Sequence, residues 1–224
     1  MGAAAVARSA RLGLRVIEGF VAFGAGFMLA LAFVAAVPEA LRRDPVGAAP
    51  VILLGYLLVH LSQHTLTPHF HFGEETHPVT ARAGNAALLG LLLHTFFDGV
   101  AIASGFLVSV SLGVLFFVAI FLHKLPEGVT VSSLVIASGG TVRRGYLAAA
   151  LLGAATILGV LLTVWAAPLQ EYGLALAAGV TIYVAASNLV PEFQGKPGWP
   201  LPAAFFAGAG AFLLSHGLLE RALG

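Results

Sequence analysis

Two histidine–carboxylate pairs lie in otherwise apolar segments of the chain. His94 is followed four residues later by Asp98 in HTFFDGVA, and His123 is followed in the same way by Glu127 in HKLPEGVT. Residues four apart on an α-helix share one face, so each segment would present an imidazole and a carboxylate in the same direction. Two such helices facing each other would offer two nitrogens and two carboxylates, a set that suits a divalent transition metal such as zinc or iron.

A buried salt bridge is the alternative explanation for the same charges. Lys124 follows His123 directly, and its ammonium group would also pair with Asp98 or Glu127. An ionised side chain at the middle of a membrane costs about 2.5–3.5 kcal/mol, so each of these charges needs a partner. A salt bridge does not require two histidines at matched offsets, whereas a metal site does. Pro126 also favours the metal site, because a proline within a helix frees a backbone carbonyl and opens space beside Glu127.

The composition shows what kind of elements must position these residues. Of the 224 residues, 59% are hydrophobic and 9% are charged, and the mean hydropathy is +0.97. Soluble domains carry about 25% charged residues, which excludes a soluble protein of this size. The chain has no cysteine, which excludes disulfides and thiolate metal sites. We therefore expect an all-α, polytopic bundle of transmembrane helices that forms a single membrane domain over residues 1–224.

Seven segments are long and apolar enough to cross a bilayer, which needs roughly 20 residues. A polar, histidine-rich loop at about 62–82 separates the second segment from the third. The distribution of lysine and arginine favours a cytoplasmic N-terminus and a cytoplasmic loop, and we expect a multi-pass protein of the inner cell membrane. The segments lie near residues 14–37, 47–62, 83–108, 112–137, 146–167, 172–190 and 201–219.

Two internal similarities indicate an inverted repeat. The segments AGFMLALAFVAAVPE (25–39) and AGVTIYVAASNLVPE (178–192) align without gaps, and they belong to the first and sixth spans, which cross in opposite directions. The second pair is HTFFDGVA and HKLPEGVT, in which Gly99 and Gly128 would let neighbouring helices approach closely. Inverted repeats are a recurring plan of secondary transporters.

The paired motif resembles that of a known family. HTFFDG and HKLPEG are similar to the metal-binding motifs on the fourth and fifth helices of the ZIP (Zrt/Irt-like) family of divalent metal transporters, whose usual forms are HNxP[DE]G and H[NED]xPEG. The two VPE segments resemble the family's second and seventh helices. The resemblance implies a binuclear site at mid-membrane and makes Met28 an additional ligand, with packing as its alternative role. The first metal position then maps onto His94, Asp98, His123 and Glu127.

The second metal position departs from the family pattern. Thr95 stands where asparagine is usual, Lys124 stands where a carboxylate or amide is usual, and Thr156 replaces the glutamate of the sixth helix. An ammonium group at Lys124 would repel a second cation while it screens the two carboxylates. We therefore expect one metal, with Lys124 in the place of the other.

Further residues have weaker interpretations. Asn188 replaces a carboxylate that is common in the family's seventh helix, and Glu39 and Glu192 would either attract cations at the mouths of a route or simply be solvated. The family's first helix has no counterpart, so we expect a prokaryotic member that lacks it, a partner subunit, or an incomplete reading frame. The loop histidines would collect metal or bind nothing in particular: His64, His69, His71 and His77.

Three functions are consistent with these residues. The first is a transporter that moves zinc toward the cytoplasm, with Fe²⁺, Mn²⁺, Cd²⁺, Co²⁺ and Ni²⁺ as alternative ions. The second is a non-transporting membrane sensor or subunit that binds metal. The third, a metal hydrolase, is the least favoured, because the chain has no HExxH motif and no separate general base, so we expect no enzyme. We expect membrane lipid and a divalent metal ion as partners, with a homodimer as one assembly and no nucleic acid.

Overall fold

The computed structural model of the protein describes residues 2–65 and 80–223, without the side chains of residues 2–14, 64, 65, 81–83 and 125. Within these ranges the chain is helical and has no strand, which confirms the all-α prediction. Three π-helical turns continue the α-helices: π1 (Ala32–Ala36), π2 (Leu61–Thr65) and π3 (Val184–Leu189). The α-helices are α1 (Gly2–Leu31), α2 (Val37–Arg43), α3 (Ala48–His60), α4 (Ala81–Val108), α5 (Val110–Ala137), α6 (Val142–Trp165), α7 (Ala167–Tyr183), α8 (Pro191–Gln194) and α9 (Pro200–Leu223).

Every predicted membrane segment coincides with an apolar helix. The second segment corresponds to Ala48–Gln63, which is shorter than the others and ends just before residues 66–79, outside the described part of the chain. We predicted seven spans, and among the described residues six meet the length and hydropathy of a membrane crossing. These six are Arg15–Arg43, Gly84–Val108, Val110–Ala137, Val142–Trp165, Ala167–Gln194 and Pro200–Leu223.

Two connections differ in their bounds from the predicted ones. Helical structure continues past Ser62, where we expected the second span to end and the polar loop to begin, and the side chains of Ser62 and Gln63 are buried. Between α4 and α5 only Ser109 interrupts the helices, and its hydroxyl caps α5 by accepting a hydrogen bond of 3.1 Å from the Leu112 amide. We call the side of the bundle at which α3 ends and α4 begins the loop face.

A close glycine crossing holds α4 against α6. A Cβ on Gly99 would overlap the carbonyl of Thr156, and a Cβ on Gly159 would overlap the carbonyl of Phe96. Small residues let backbones approach, and packing of this kind associates helices where lipid removes the hydrophobic drive between them. Helices α5 and α7 also pack against α4. Similar reciprocal contacts join α1 to α9 and α3 to α7, through Gly26, Gly208, Gly55 and Gly179.

The two VPE segments share an unusual backbone feature. Segment 25–39 contains π1 and segment 178–192 contains π3, and the ungapped alignment places residues 32–36 opposite residues 185–189, five of the six residues of π3. A π-helical turn is rare and occurs mostly as a single-turn bulge in an α-helix. Its presence at matched positions supports the predicted inverted relationship between α1 and α7. The two segments also pack against each other, because α1 contacts π3 and α7 contacts π1.

Candidate metal centre

The structure brings the four principal predicted ligands together. His94 and Asp98 lie on α4, and His123 and Glu127 lie on α5, and each is at most 3% exposed. Each side chain offers one ligand atom, and these four atoms all lie within 4.8 Å of one another. In the part of the chain that the structure describes, no other group of three or more such side chains could hold an ion.

The separations in this cluster suit a tetrahedral metal ion. His123 Nε2 lies 3.4 Å from Asp98 Oδ2, and His94 Nε2 lies 3.7 Å from the same oxygen and 3.9 Å from Glu127 Oε1. Ligand atoms around a tetrahedral zinc ion are about 3.4 Å apart when each bond is about 2.1 Å. The shortest contact equals that value and the other two exceed it by about 0.5 Å or less, while all four ligand atoms lie within 4.8 Å of one another. Small side-chain rotations would therefore complete the coordination.

Hydrogen bonding leaves acceptor atoms facing one another inside the cluster. His123 Nδ1 donates to the Ala119 carbonyl, 3.0 Å away, because that carbonyl only accepts. In a neutral ring Nε2 then presents its lone pair to Asp98 Oδ2. Glu127 Oε1 is buried and has no hydrogen-bond partner among the described residues. A buried polar atom without a partner costs about 1–3 kcal/mol, and a bound cation would offset both this cost and the repulsion between acceptors.

Lys124 occupies one side of the same carboxylates. Its Nζ lies 2.6 Å from Asp98 Oδ2 and 2.6 Å from Glu127 Oε2. The salt bridge that we considered as an alternative is thus present, and it shares both carboxylates, and the oxygen Asp98 Oδ2, with the histidine cluster rather than replacing that cluster. With neutral histidines and ionised carboxylates, the five side chains carry two negative charges and one positive charge, which leaves a net negative charge to attract a cation.

The remaining residues assigned to the metal positions lie on α1, α4 and α6. Met28 is fully buried in the apolar core that α1 shares with Phe97 of α4 and Ile120 of α5. Thr95 is buried, and its hydroxyl donates to the Leu92 carbonyl at 3.1 Å. Thr156 donates to the Leu152 carbonyl at 3.3 Å. Each threonine hydroxyl thus bonds to its own helix. The role of Met28 as a ligand stays a prediction, and so does the role of the two threonines as remnants of a second site.

The residues predicted along a route lie at the ends of the bundle. Asn188 is buried in π3 and donates a hydrogen bond of 2.7 Å to Gln63 Oε1. Glu39 accepts two hydrogen bonds of 2.7 Å from Arg42 and one of 3.0 Å from Arg43, so its charge is already paired. Glu192 is half-buried in α8. The loop histidines lie outside the described residues or have undescribed side chains: His64, His69, His71 and His77.

Sequence reasoning missed one polar contact between helices. Besides the bond from Asn188 to Gln63, the Tyr56 hydroxyl lies 3.2 Å from Ser187 Oγ, so that two hydrogen bonds join α3 and π2 to π3. Gln63 could have been noticed as an amide at the end of an apolar helix. No spacing rule indicates a π-helical turn, however, so the contact of Gln63 with Asn188 across the bundle was not predictable.

Comparisons with known proteins agree with the motifs. The family model described as ZIP zinc transporter matches residues 59–215. Zinc transporter ZIP5 of Homo sapiens is 34% identical over 140 residues, which cover 61% of this chain and 26% of that protein. Zinc transporter ZIP6 of Homo sapiens is 33% identical over 136 residues, 56% of this chain and 18% of that protein. Zinc transporter ZIP9-B of Xenopus laevis is 31% identical over 159 residues, 64% of this chain and 52% of that protein.

The extent of the family match decides the assignment. Its range, residues 59–215, includes both halves of the metal cluster and continues to within ten residues of Gly224. The chain spans about half the length of ZIP9-B and about a quarter or less of ZIP5 and ZIP6. A match over most of this chain nevertheless shows the family, and the protein belongs to the ZIP zinc transporter family.

Proposed function

We propose that this protein carries a divalent transition metal, zinc foremost, across a membrane through the cluster between α4 and α5. The observation that carries the proposal is the gathering of two imidazoles and two carboxylates, each at most 3% exposed, in an apolar bundle. Three of their contacts measure 3.4–3.9 Å, and all four ligand atoms lie within 4.8 Å of one another. The relatives ZIP5, ZIP6 and ZIP9-B are named zinc transporters, which supports zinc as the ion. Iron, manganese, cadmium, cobalt and nickel ions suit the same ligands.

The site is proposed to hold one ion at a time. The Lys124 ammonium bonds both carboxylates at 2.6 Å, and its positive charge would repel a second cation at the same oxygens. The hydroxyls of Thr95 and Thr156 donate to backbone carbonyls of their own helices. Equilibrium dialysis of the purified protein should therefore find one zinc ion per chain. Two ions per chain would contradict the mononuclear site without affecting the proposal of transport.

The direction of transport is proposed to be toward the cytoplasm, with release at the loop face. Asn188 would lie beside the route near that face, while Glu39 would lie at the opposite mouth and Glu192 near the loop face. The histidine-rich segment at about 62–82 would receive the ion, since it follows π2 and precedes α4. Uptake measured in vesicles of known orientation, with zinc supplied to one face at a time, tests this direction.

Zinc uptake by proteoliposomes tests transport itself. A zinc-sensitive dye inside the vesicles should report uptake by the unmodified protein and none by His94→Ala or Glu127→Ala, because each substitution removes one of four ligands. Glu18→Gln is the matched control, since Glu18 pairs with Lys196 at the bundle surface and its loss removes a carboxylate elsewhere. Unchanged uptake in both ligand variants would refute the proposal.

The alternative of a non-transporting sensor or subunit is separated by the same preparation. Tight binding of one zinc ion by the purified protein, with no flux into vesicles under any gradient, would select that alternative. Flux of several ions in a panel of divalent metals, each abolished by Glu127→Ala, would instead support a transporter of broad selectivity.

A further inference from the structure

Two amide side chains meet across the helices at the loop-face end of the bundle. Asn188 Nδ2 donates to Gln63 Oε1 over 2.7 Å, and both residues are only 8% exposed. Gln63 lies in π2 and Asn188 lies in π3, so each amide is carried by a π-helical turn. Such turns are frequent at functional sites, and a helix can convert between π and α geometry by moving one residue in register.

This amide pair lies next to the metal cluster on its loop-face side. Helix α4 begins at the loop face, and Gly90 precedes His94 by one turn, or about 6 Å along the helix axis. A Cβ on Gly90 would lie 3.1 Å from the Ser62 carbonyl and 3.6 Å from Gln63 Cγ. The surface of α4 that leads from His94 to the loop face is therefore covered by π2 and the Gln63 side chain.

The pair is suited to close and reopen a path for an ion. Both partners are neutral, so they neither trap a dication nor repel it. The metal ligands are at most 3% exposed, so an ion can reach or leave them only if neighbouring side chains such as these amides move. The hydrogen bond between the two amides, at ordinary net strength, biases an equilibrium by only about fivefold, so breaking this bond alone is a small cost. An amide oxygen freed in this way can also contact a passing hydrated cation.

We propose that the Gln63–Asn188 amide pair closes the metal route between the four-ligand cluster and the loop face, and that the pair must separate before an ion is released. This inference rests on the proposed function for the identity of the route. It assigns to Gln63 and Asn188 a gating role, distinct from metal ligation at His94. The neighbouring Tyr56–Ser187 contact, by contrast, is assigned only to the packing of α3 against π3.

A thiol reporter in the cluster tests the closure without requiring transport. The chain has no cysteine, so His94→Cys introduces a single thiol at a position that is 3% exposed. Sealed vesicles would be treated with a charged, membrane-impermeant methanethiosulfonate from either face. In the His94→Cys background, Asn188→Ala should raise the labelling rate from the loop face about fivefold, the bias of one hydrogen bond. Labelling from the opposite face should not change.

Matched variants decide what the labelling means. Ser187→Ala removes the other hydrogen bond of the same contact and should leave the loop-face rate within twofold of its parent. Gln63→Ala should reproduce the effect of Asn188→Ala, and it serves as the test if that variant fails to fold. An unchanged loop-face rate in the amide variants, or an equal rise in Ser187→Ala, would overturn the closure. Absence of zinc uptake by the unmodified protein would refute transport alone, because the labelling comparison does not depend on it.

Discussion

Replacing Lys124 with methionine should tighten metal binding, because it removes a cation that competes for the metal's carboxylates. Nζ lies 2.6 Å from Asp98 Oδ2, and a zinc ion would lie about 2.1 Å from that oxygen. The ammonium group and the ion would then be about 4 Å apart. At an effective dielectric constant of about 20, two unit charges at this distance interact by about 4 kcal/mol, so a dication is repelled by about 8 kcal/mol.

Only part of this energy should appear in the binding constant. Without the ammonium group, protonation of Asp98 and Glu127 competes with the metal, and the site relaxes around its remaining charges. A retained difference of about 1.4–2.8 kcal/mol corresponds to binding that is ten to one hundred times tighter. The metal-free protein should also unfold more easily, because removing one partner of a buried ion pair costs about 3–5 kcal/mol. Zinc should therefore stabilise Lys124→Met more than it stabilises the unmodified protein.

Calorimetric titration of zinc into the purified protein measures the affinity, and thermal unfolding with and without zinc measures the stability. Lys196→Met is the control, since Lys196 forms a comparable ion pair of 2.6 Å with Glu18 but does so at the surface. Its zinc affinity should equal that of the unmodified protein. A folded Lys124→Met protein that binds zinc no more tightly than the unmodified chain would refute the view that the ammonium group competes with the ion.

Three further outcomes follow from the contacts. In thermal unfolding, Gly99→Ala should destabilise the protein by about 1–3 kcal/mol, because its Cβ would overlap the Thr156 carbonyl. The corresponding Gly128→Ala should be tolerated, since a Cβ there has no neighbour within 4 Å. Zinc at about 100 times its dissociation constant should stabilise the unmodified protein by about 2.7 kcal/mol, and Glu127→Gln should abolish this shift at the same zinc concentration. Glu39→Gln should change the unfolding free energy by about 1 kcal/mol or less, since its pairs with two arginines are exposed; a larger loss would show that they anchor α2.

The helices and the cluster were predictable because both depend on local rules. A span in lipid must satisfy its backbone hydrogen bonds within itself, so hydropathy alone indicates where helices lie. The four-residue spacing places His94 beside Asp98, and the duplicated motif predicts that α5 supplies the matching pair. The structure adds that one carboxylate oxygen, Asp98 Oδ2, is within 3.7 Å of both imidazole Nε2 atoms and 2.6 Å from the ammonium group. Sequence spacing cannot indicate such sharing.

The π-helical turns and the contact between Gln63 and Asn188 were not predictable, for a different physical reason. A proline disturbs the helical hydrogen bonds of the turn before it, and π1 and π3 each end two residues before one, Pro38 or Pro191. A proline alone, however, does not specify a π-helical turn rather than a kink. Gln63 and Asn188 are separated by 125 residues, so only the packing of α3 against α7 brings them together. The polar composition after Leu61 favoured a loop there, whereas burial against Gly90 of α4 keeps Ser62 and Gln63 helical.

The matched π-helical turns bear on how the two ends of the bundle differ. Segments 25–39 and 178–192 share few side chains besides AG and VPE, yet both contain a π-helical turn at matching positions. Each of these turns ends two residues before the proline of its VPE sequence, Pro38 or Pro191, which removes a helical hydrogen bond in the preceding turn. The shared proline and the rare shared turn together support the inverted repeat. A symmetric plan by itself gives no direction to transport. Net direction follows from the metal gradient, whereas a difference in affinity between the two faces must come from residues that break the symmetry, and the structure offers two such sets. Lys124 follows the histidine of α5 and bonds both carboxylates, whereas Thr95 follows the histidine of α4 and bonds its own helix. The Gln63–Asn188 pair lies at the loop face, and the described residues show no second amide pair at the opposite face. Substitution of Lys124 or Asn188 should therefore change the half-saturating zinc concentration measured from one face relative to that measured from the other, while the metal gradient still fixes the net direction of flux.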